Sequence, residues 1–284
     1  MLKAYFDASG SARDPGISVL SVSGYIAHED QWADFEKVWP TVLKEFGIAE
    51  FHMSHFAQCE GEFAKWKDKK WEPTRQAFIK AISTAINDHT HRSVGITVDL
   101  HTYDWFNERF RIEETLGTPY GMAALSAIML TMEWRESSKL REPLLFFFEK
   151  GDNEQADFRK QLAALKLPVD PVFCKKRWTD DQGDIHYCLP FQASDFIAYE
   201  HAKTTLDCIR DGKIDMRHSA RAIVRPDDDG RWAGVNRHVL WKFVTSQHIP
   251  RRAHNREVYV MPKGPLCYLG LDYPLWNTAD KFYN

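Results

Sequence analysis

The chain has 284 residues and a formal net charge of −3, and 44% of its residues are hydrophobic and 27% are charged. This composition excludes both a polycation and a disordered chain, so any binding of nucleic acid must come from local basic patches. The five cysteines are scattered without a CxxC pair, the N-terminus lacks the pattern of a signal peptide, and no apolar run is long enough for a membrane helix. We therefore expect a cytoplasmic protein with reduced thiols that does not associate with membranes.

Apolar and alternating runs predict strands, in chain order, over 2–7, 17–27, 93–100, 143–149, 170–176 and 257–261. Apolar residues at helical spacing predict helices over 28–47, 73–88, 119–140, 153–166 and 190–210. The first two strands are expected to pair antiparallel. Because strands and helices alternate after this hairpin, the order predicts an α/β fold with a mixed sheet flanked by helices. We expect 1–210 to form this domain and 211–284 to form a C-terminal extension with a basic segment, packed on the same domain.

Three carboxylates stand at strand ends or at the start of a helix, which are positions where α/β folds carry functional residues. Asp7 ends the first strand, Glu149 ends the fourth with Asp152 shortly after it, and Asp195 lies in the first turn of the helix over 190–210. If the first and fourth strands are neighbours, Asp7 and Glu149 converge, and a helix packed across the sheet could bring Asp195 to the same point. Taken singly, each acid also has a structural explanation, as a turn former, a solvated acid or a first-turn acid of a helix.

Three adjacent carboxylates repel one another and resist ionisation unless a cation joins them. Mg²⁺ and Mn²⁺ prefer oxygen ligands, and two such ions about 3.5–4 Å apart can activate a water and stabilise the leaving oxygen of a phosphodiester. The small residues Ser9 and Gly10 would leave room for a metal and a phosphate beside Asp7. The acids therefore favour phosphodiester hydrolysis with Mg²⁺ or Mn²⁺ as the cofactor.

Four segments in this order resemble a known bacterial family: "YFDASG" near the N-terminus, "FHMSH" after the first long helix, "FFFEKGD" at a strand end and "PFQASDFIAY" on a late helix. Together they resemble the domain-of-unknown-function family 3800, and the match spans most of residues 2–205. That family is similar to ribonuclease H-like nucleases and integrases. The resemblance implies a ribonuclease H-like fold, a metal-dependent nuclease site and a role in defence against phages or mobile elements.

The resemblance also assigns roles to particular residues. Asp7, Asp195 and Glu149, or Asp152 in place of Glu149, would bind the metal, and Gln192 would orient its helix or the substrate. The sequence departs from the family pattern in three places. Ala8 replaces a Glu, although on a strand this position points away from Asp7. His55 replaces an Asp, and the acid at the end of the fourth strand is Glu149 rather than the usual Asp.

Histidines and arginines provide the remaining candidates. His52 and His55 are three residues apart, so a helical turn would place them on one face. We assign His52 to proton transfer or to positioning beside the carboxylates, with a structural histidine as the alternative. Arg217 and Arg221, continued by Arg225, would form a stripe along a helix that could follow a phosphate backbone. The alternative for this stripe is a solvated face paired with the acidic run 227–229.

The sequence thus predicts a metal-dependent nuclease that hydrolyses DNA or RNA. The alternative is a catalytically silent ribonuclease H-like module that binds nucleic acid or protein. Both hypotheses leave room for a protein partner in a defence complex and for a homo-oligomer. Binding of a divalent metal separates them, because a silent module need not bind one.

Overall fold

The structure is a computed structural model, and it describes residues 1–10, 16–151, 154–165, 167, 169–212, 216–223, 231–235 and 237–246. A mixed six-stranded sheet lies at its centre with helices packed on it. The α/β fold with a mixed sheet that the sequence predicts is therefore confirmed. The strand predicted over 257–261, the alternative acid Asp152 and the arginine Arg225 all lie outside the described residues.

The strands follow the order of the chain as β1 (Leu2–Ser9), β2 (Val19–His28), β3 (Arg92–Asp99), β4 (Leu144–Glu149), β5 (Val172–Cys174), β6 (Arg177–Thr179), β7 (Ile185–Tyr187) and β8 (Arg231–Val235). The main sheet has the order β5-β4-β1-β2-β3-β8, and β6 and β7 form a separate antiparallel hairpin. Strand β2 runs antiparallel to both of its neighbours, whereas the β1–β4, β4–β5 and β3–β8 pairs are parallel. Strand β8 comes from the predicted C-terminal extension, so the described part of that extension adds a strand to the same sheet.

The α-helices are α1 (Glu29–Glu45), α2 (Met53–Gln58), α3 (Glu72–His89), α4 (Leu100–Phe110), α5 (Glu113–Leu116), α6 (Pro119–Ser137), α7 (Gln155–Leu165), α8 (Pro190–Asp211), α9 (His218–Ile223) and α10 (Arg237–Ser246). Two short 3-10 helices, Gly61–Lys67 and Lys69–Trp71, precede α3. Among the described residues, no helix is long and apolar enough to span a membrane.

The two faces of the sheet are covered by separate apolar layers. Helices α1, α3 and α8 cover one face through an aromatic cluster that includes Trp39, Phe51 and Phe196. Helices α4, α6, α7 and α10 cover the other face through a second cluster. The many aromatic residues of the sequence are thus mostly used to fill the space between sheet and helices, where burial of apolar area stabilises the fold.

The register of β1 against β4 decides where the carboxylates come to lie. Tyr5 is paired with Phe147 and Phe6 with Phe148, and the rings of each pair stack with centroids 4.7 and 5.2 Å apart. Because side chains alternate between faces, the residues that follow Tyr5 and Phe147 on the same face are Asp7 and Glu149. Both lie at the carboxyl ends of parallel strands, on the side of the sheet that α8 covers.

Candidate active site

Helix α8 brings the third acid to this edge. The Ser194 hydroxyl donates to the Tyr5 carbonyl at 2.8 Å, which attaches the first turns of α8 directly to β1. Gln192 Oε1 accepts from Trp39 Nε1 at 2.9 Å and from the Phe51 amide at 3.0 Å. These bonds fix the helix against β1, α1 and the segment before α2. Asp195 is consequently carried to the ends of β1 and β4, as the sequence predicts if a helix crosses the sheet.

A buried lysine lies among the three acids. Lys176 Nζ is 3.3 Å from Asp7 Oδ2, 3.2 Å from Asp195 Oδ2 and 4.0 Å from Glu149 Oε2. The side chain of Lys176 is only 6% exposed, and that of Asp7 only 7%. The structure therefore brings the three predicted acids together, and it places an ammonium group at the point where they converge.

Burial and mutual charge set the protonation of this cluster. Burial raises the pKa of Asp7 well above its usual range, the charges of Glu149 and Asp195 raise it further, and Lys176 opposes both. Burial would also raise the pKa of Asp195, but the combined effect of Lys176, His52 and the Met53 amide lowers it. For Lys176 the attraction of the three carboxylates outweighs burial and raises its pKa. The lysine is thus a charged cation, and the acids differ in how readily they ionise.

His52 lies beside the cluster rather than at its centre. Its Nδ1 is 3.4 Å from Asp195 Oδ2, and its Nε2 is 3.2 Å from Glu50 Oε1. Glu50 in turn lies 3.5 Å from Arg177, the residue after the buried lysine. The Met53 amide donates to Asp195 Oδ2 at 3.0 Å, so the segment leading into α2 holds this carboxylate at two points. His55 is exposed, with its ring 5.3 Å from that of His52.

The residues after Asp7 are small and are held by contacts within the fold. The Asp7 carboxylate accepts from the Ala8 amide at 2.7 Å. Ala8 itself packs against the apolar cluster on the opposite face of the sheet, so the predicted direction of this position is confirmed. Ser9 ends β1 opposite Ser21. Gly10 has φ +91°, and a Cβ there would lie 2.5 Å from the Val19 carbonyl oxygen, so only glycine fits this turn.

Two predicted roles need correction. Gln192 is fully buried, so it cannot contact a substrate, and its contacts support the orienting role instead. Arg217 does not belong to an open basic stripe, because its guanidinium lies 3.8 Å from the buried carboxylate of Glu200 and over the ring of Tyr199. Glu200, the partner of Arg217, lies five residues after Asp195 on α8, which is about 7.5 Å along the helix at a rise of about 1.5 Å per residue. Arg221 is exposed on the short helix α9, so a role in binding substrate stays a prediction for it.

Sequence reasoning missed Lys176 and Glu50. Lys176 lies in a basic run over 174–178 that is typical of a solvated surface, but the structure buries this lysine. Its burial depends on the pairing of Cys174 with Glu149 across β4 and β5, which returns Lys176 to the face of Glu149, and no local pattern encodes this register. Glu50 directly precedes the "FHMSH" segment, and its proximity to His52 could have been noted.

The donor set of the cluster suits a hard divalent cation, because three carboxylate oxygens surround one point that a positive charge already occupies. As the side chains stand, no group of three or more His, Cys, Asp and Glu residues in the described part of the chain is arranged to hold a metal ion. A divalent ion would thus have to share the carboxylates with Lys176 or replace its ammonium. The residues fit the chemistry of Mg²⁺ or Mn²⁺, and Lys176 is the competing cation.

Comparison of the chain with protein-family models, with curated proteins and with solved structures finds no significant match.

Proposed function

We propose that the chain is a metal-dependent nuclease of ribonuclease H-like fold, which hydrolyses phosphodiester bonds of DNA or RNA with Mg²⁺ or Mn²⁺. The observation that carries this proposal is the convergence of Asp7, Glu149 and Asp195 around one cationic point at the carboxyl ends of two parallel strands. The order β3-β2-β1-β4-β5, with β2 alone antiparallel, is compatible with a ribonuclease H-like sheet and supports the proposed fold. The resemblance of the four sequence segments supports the role in defence.

Each residue of the site would have a separate role in the proposed reaction. Asp7, Glu149 and Asp195 would hold the divalent ion, which when bound supplies a Lewis acid for the phosphate and a more acidic water. Hydrolysis adds water across one P–O bond and yields a phosphate monoester and a free hydroxyl. His52 Nδ1, 3.4 Å from Asp195 Oδ2, would keep the Asp195 carboxylate in place, and its side chain is partly exposed to solvent. Gly10 allows the turn that ends β1 beside Asp7, because a Cβ there would meet the Val19 carbonyl oxygen.

A second candidate function rests on the buried lysine itself. Lys176 offsets part of the negative charge of the carboxylates, so the cluster also has an explanation as a structural ion network. A chain of this kind could be a silent module that binds nucleic acid or protein without cleaving it. The two candidates differ in a single property, which is whether the carboxylates bind a divalent ion.

The first test is cleavage of labelled single- and double-stranded DNA and RNA by the full chain, with Mn²⁺, Mg²⁺ or EDTA. We expect metal-dependent cleavage that falls by roughly 10²–10³-fold or more in Asp7→Asn and in Asp195→Asn, because each variant removes a charge at the reacting centre. Asp34→Asn is the matched control, since Asp34 is an exposed acid on α1 that pairs with Lys37 at 2.8 Å. Wild-type rates in both cluster variants would refute the site assignment.

Calorimetric titration with Mn²⁺ on the same proteins separates the two candidates when no cleavage is seen. Binding that is lost in Asp7→Asn but kept in Asp34→Asn would support an enzyme whose substrate has not been supplied. Absence of Mn²⁺ binding in the wild type would refute the metal-dependent nuclease and support the silent module.

A further inference from the structure

Lys176 is placed to act as a permanent part of the proposed metal centre. Its Nζ is nearly equidistant from Asp7 Oδ2 and Asp195 Oδ2, at 3.3 and 3.2 Å, and slightly further from Glu149 Oε2, at 4.0 Å. These three oxygens come from β1, β4 and α8, so one ammonium joins all the elements that form the site. No other side chain of the described residues forms ion pairs with all three acids.

The backbone around Lys176 holds the side chain in this position. Its carbonyl accepts from the Cys188 amide at 2.9 Å, and the Cys174 carbonyl accepts from the Lys150 amide at 2.6 Å. The residue therefore lies between the end of β5 and the start of the β6–β7 hairpin, with bonded backbone on both sides. Since the lysine side chain is 6% exposed, moving its ammonium to solvent would require this whole connection to shift.

Charge balance indicates how many ions the site then accepts. When the three acids are ionised, they carry three negative charges and Lys176 carries one positive charge. The remaining two negative charges are neutralised by a single divalent ion. A second divalent ion would add two positive charges within a few ångströms of the buried Lys176 ammonium, and the repulsion would oppose its binding.

We propose that the ammonium of Lys176 takes the place of one of the two cations that a site of three carboxylates would otherwise hold, so that the site binds one divalent ion. This inference rests on the proposed function, since it describes the metal centre of that same site. It assigns to Lys176 a positioning role toward the carboxylates and the ion. It also replaces the two-ion arrangement expected from the sequence.

The test is the stoichiometry of Mn²⁺ binding to the full chain, measured by calorimetry and by electron paramagnetic resonance. We expect one Mn²⁺ in the wild type, with the spectrum of an isolated ion. Lys176→Gln removes the charge, and we expect it to bind two Mn²⁺ ions whose spectrum shows exchange coupling. Lys176→Arg keeps the charge and should bind one. The control is Lys160→Gln, because Lys160 is exposed and pairs with Asp157 at 2.9 Å, and it should also bind one.

The outcomes distinguish this inference from the proposed function. Two Mn²⁺ ions in the wild type, or one in both the wild type and Lys176→Gln, would overturn the inference and leave the metal-dependent site intact. No Mn²⁺ in the wild type or in any variant would overturn the proposed function itself. If Lys176→Gln does not fold, two ions in the wild type still overturn the inference, and Lys176→Arg, which keeps the charge, must bind one isolated ion to support it.

Discussion

His201 shows how a single residue of α8 makes the stability of the fold depend on pH. Its Nδ1 lies 2.8 Å from the Ser23 hydroxyl, and its ring stacks on that of Trp232 with centroids 4.2 Å apart. Its residue exposure is 8%. Burial lowers the pKa of His201 from its ordinary value of 6.5 to about 3. The folded protein therefore keeps this imidazole neutral over the range in which the unfolded chain protonates it.

The direction of the resulting pH dependence follows from proton binding. Below pH 6.5 the unfolded state takes up a proton that the folded state does not bind, so the free energy of unfolding decreases as the pH falls toward 3. Between pH 7 and pH 5 the loss from this one group is roughly 2 kcal/mol. His201→Phe keeps a stacking ring but cannot titrate. We therefore expect its free energy of unfolding to fall by roughly 2 kcal/mol less than that of the wild type between pH 7 and pH 5. Urea unfolding at the two pH values measures the difference.

Ser23→Ala is the matched control for this prediction. It removes the same hydrogen bond but retains the histidine, so the acid-side loss of stability should persist. An equal pH dependence in His201→Phe and the wild type would show that His201 does not titrate differently in the folded and unfolded states.

At the level of residues, the sequence was informative where local pattern decides the outcome. Asp7 and Asp195 could be identified because each stands at the end or start of a strongly apolar element. Lys176 could not be identified with confidence by the same means, because a lysine among other basic residues is usually solvated and its burial depends on the register of β5 with β4. The role of Gln192 likewise depends on Trp39 and Phe51, which are distant in sequence.

At the level of elements, the β1–β2 pair sets the position of Asp7, and one glycine allows it to form. A Cβ built on Gly24 would lie 1.7 Å from the Tyr5 carbonyl oxygen and 2.9 Å from the Phe6 Cα, both of them backbone atoms. Backbone cannot move aside without separating the strands. The close contact between β1 and β2 therefore requires glycine at this position.

We expect Gly24→Ala to destabilise the fold by about 2–3 kcal/mol or more, because overpacking at the centre of the sheet forces the backbone to shift. Gly234→Ala is the control within the same sheet. A Cβ on Gly234 has Thr97 Oγ1 as its nearest neighbour at 3.5 Å, an ordinary contact, and this change should alter stability by less than about 1 kcal/mol. Urea unfolding of both variants tests the difference, and equal stability would contradict the described packing of β1 on β2.

The helices and strands differ in how clearly their own sequence pattern predicts them. Helices α6 and α8 are long and follow strong patterns, so the sequence placed them to within a few residues at each end. Strands β6 and β7 have three residues each and are largely exposed, so they carry no apolar run to detect. Strand β8 has five residues and depends on pairing with β3, a contact that no local pattern encodes.

At the level of the whole molecule, the site is assembled from widely separated parts of the chain. The acids come from β1, β4 and α8, whereas Glu50 and His52 come from the helical region between β2 and β3. A divalent ion that binds all three acids binds only the folded chain, so it must stabilise the entire fold by mass action.

We expect Mn²⁺ at about 100 times its dissociation constant to stabilise the wild type by about 2.7 kcal/mol. For a chain of this size the melting temperature should rise by roughly 4–5 °C, and EDTA should reverse the rise. Asp7→Asn should show no comparable rise under the same conditions, while Asp34→Asn should behave like the wild type. An equal rise in Asp7→Asn would place the ion elsewhere on the protein.

The wide separation of the acids also affects when the site appears during synthesis. Lys176 and Asp7 are 169 residues apart, and the Met53 amide that holds Asp195 is 142 residues from it. Asp7 is synthesised well before α8, so a growing chain on the ribosome cannot complete the cluster until α8 has left the exit tunnel. If the proposed activity is correct, a nascent chain is harmless to the messenger RNA that encodes it, and any product released before residue 195 is inert. On the proposed function, the order of the chain delays the nuclease centre until α8 has been synthesised.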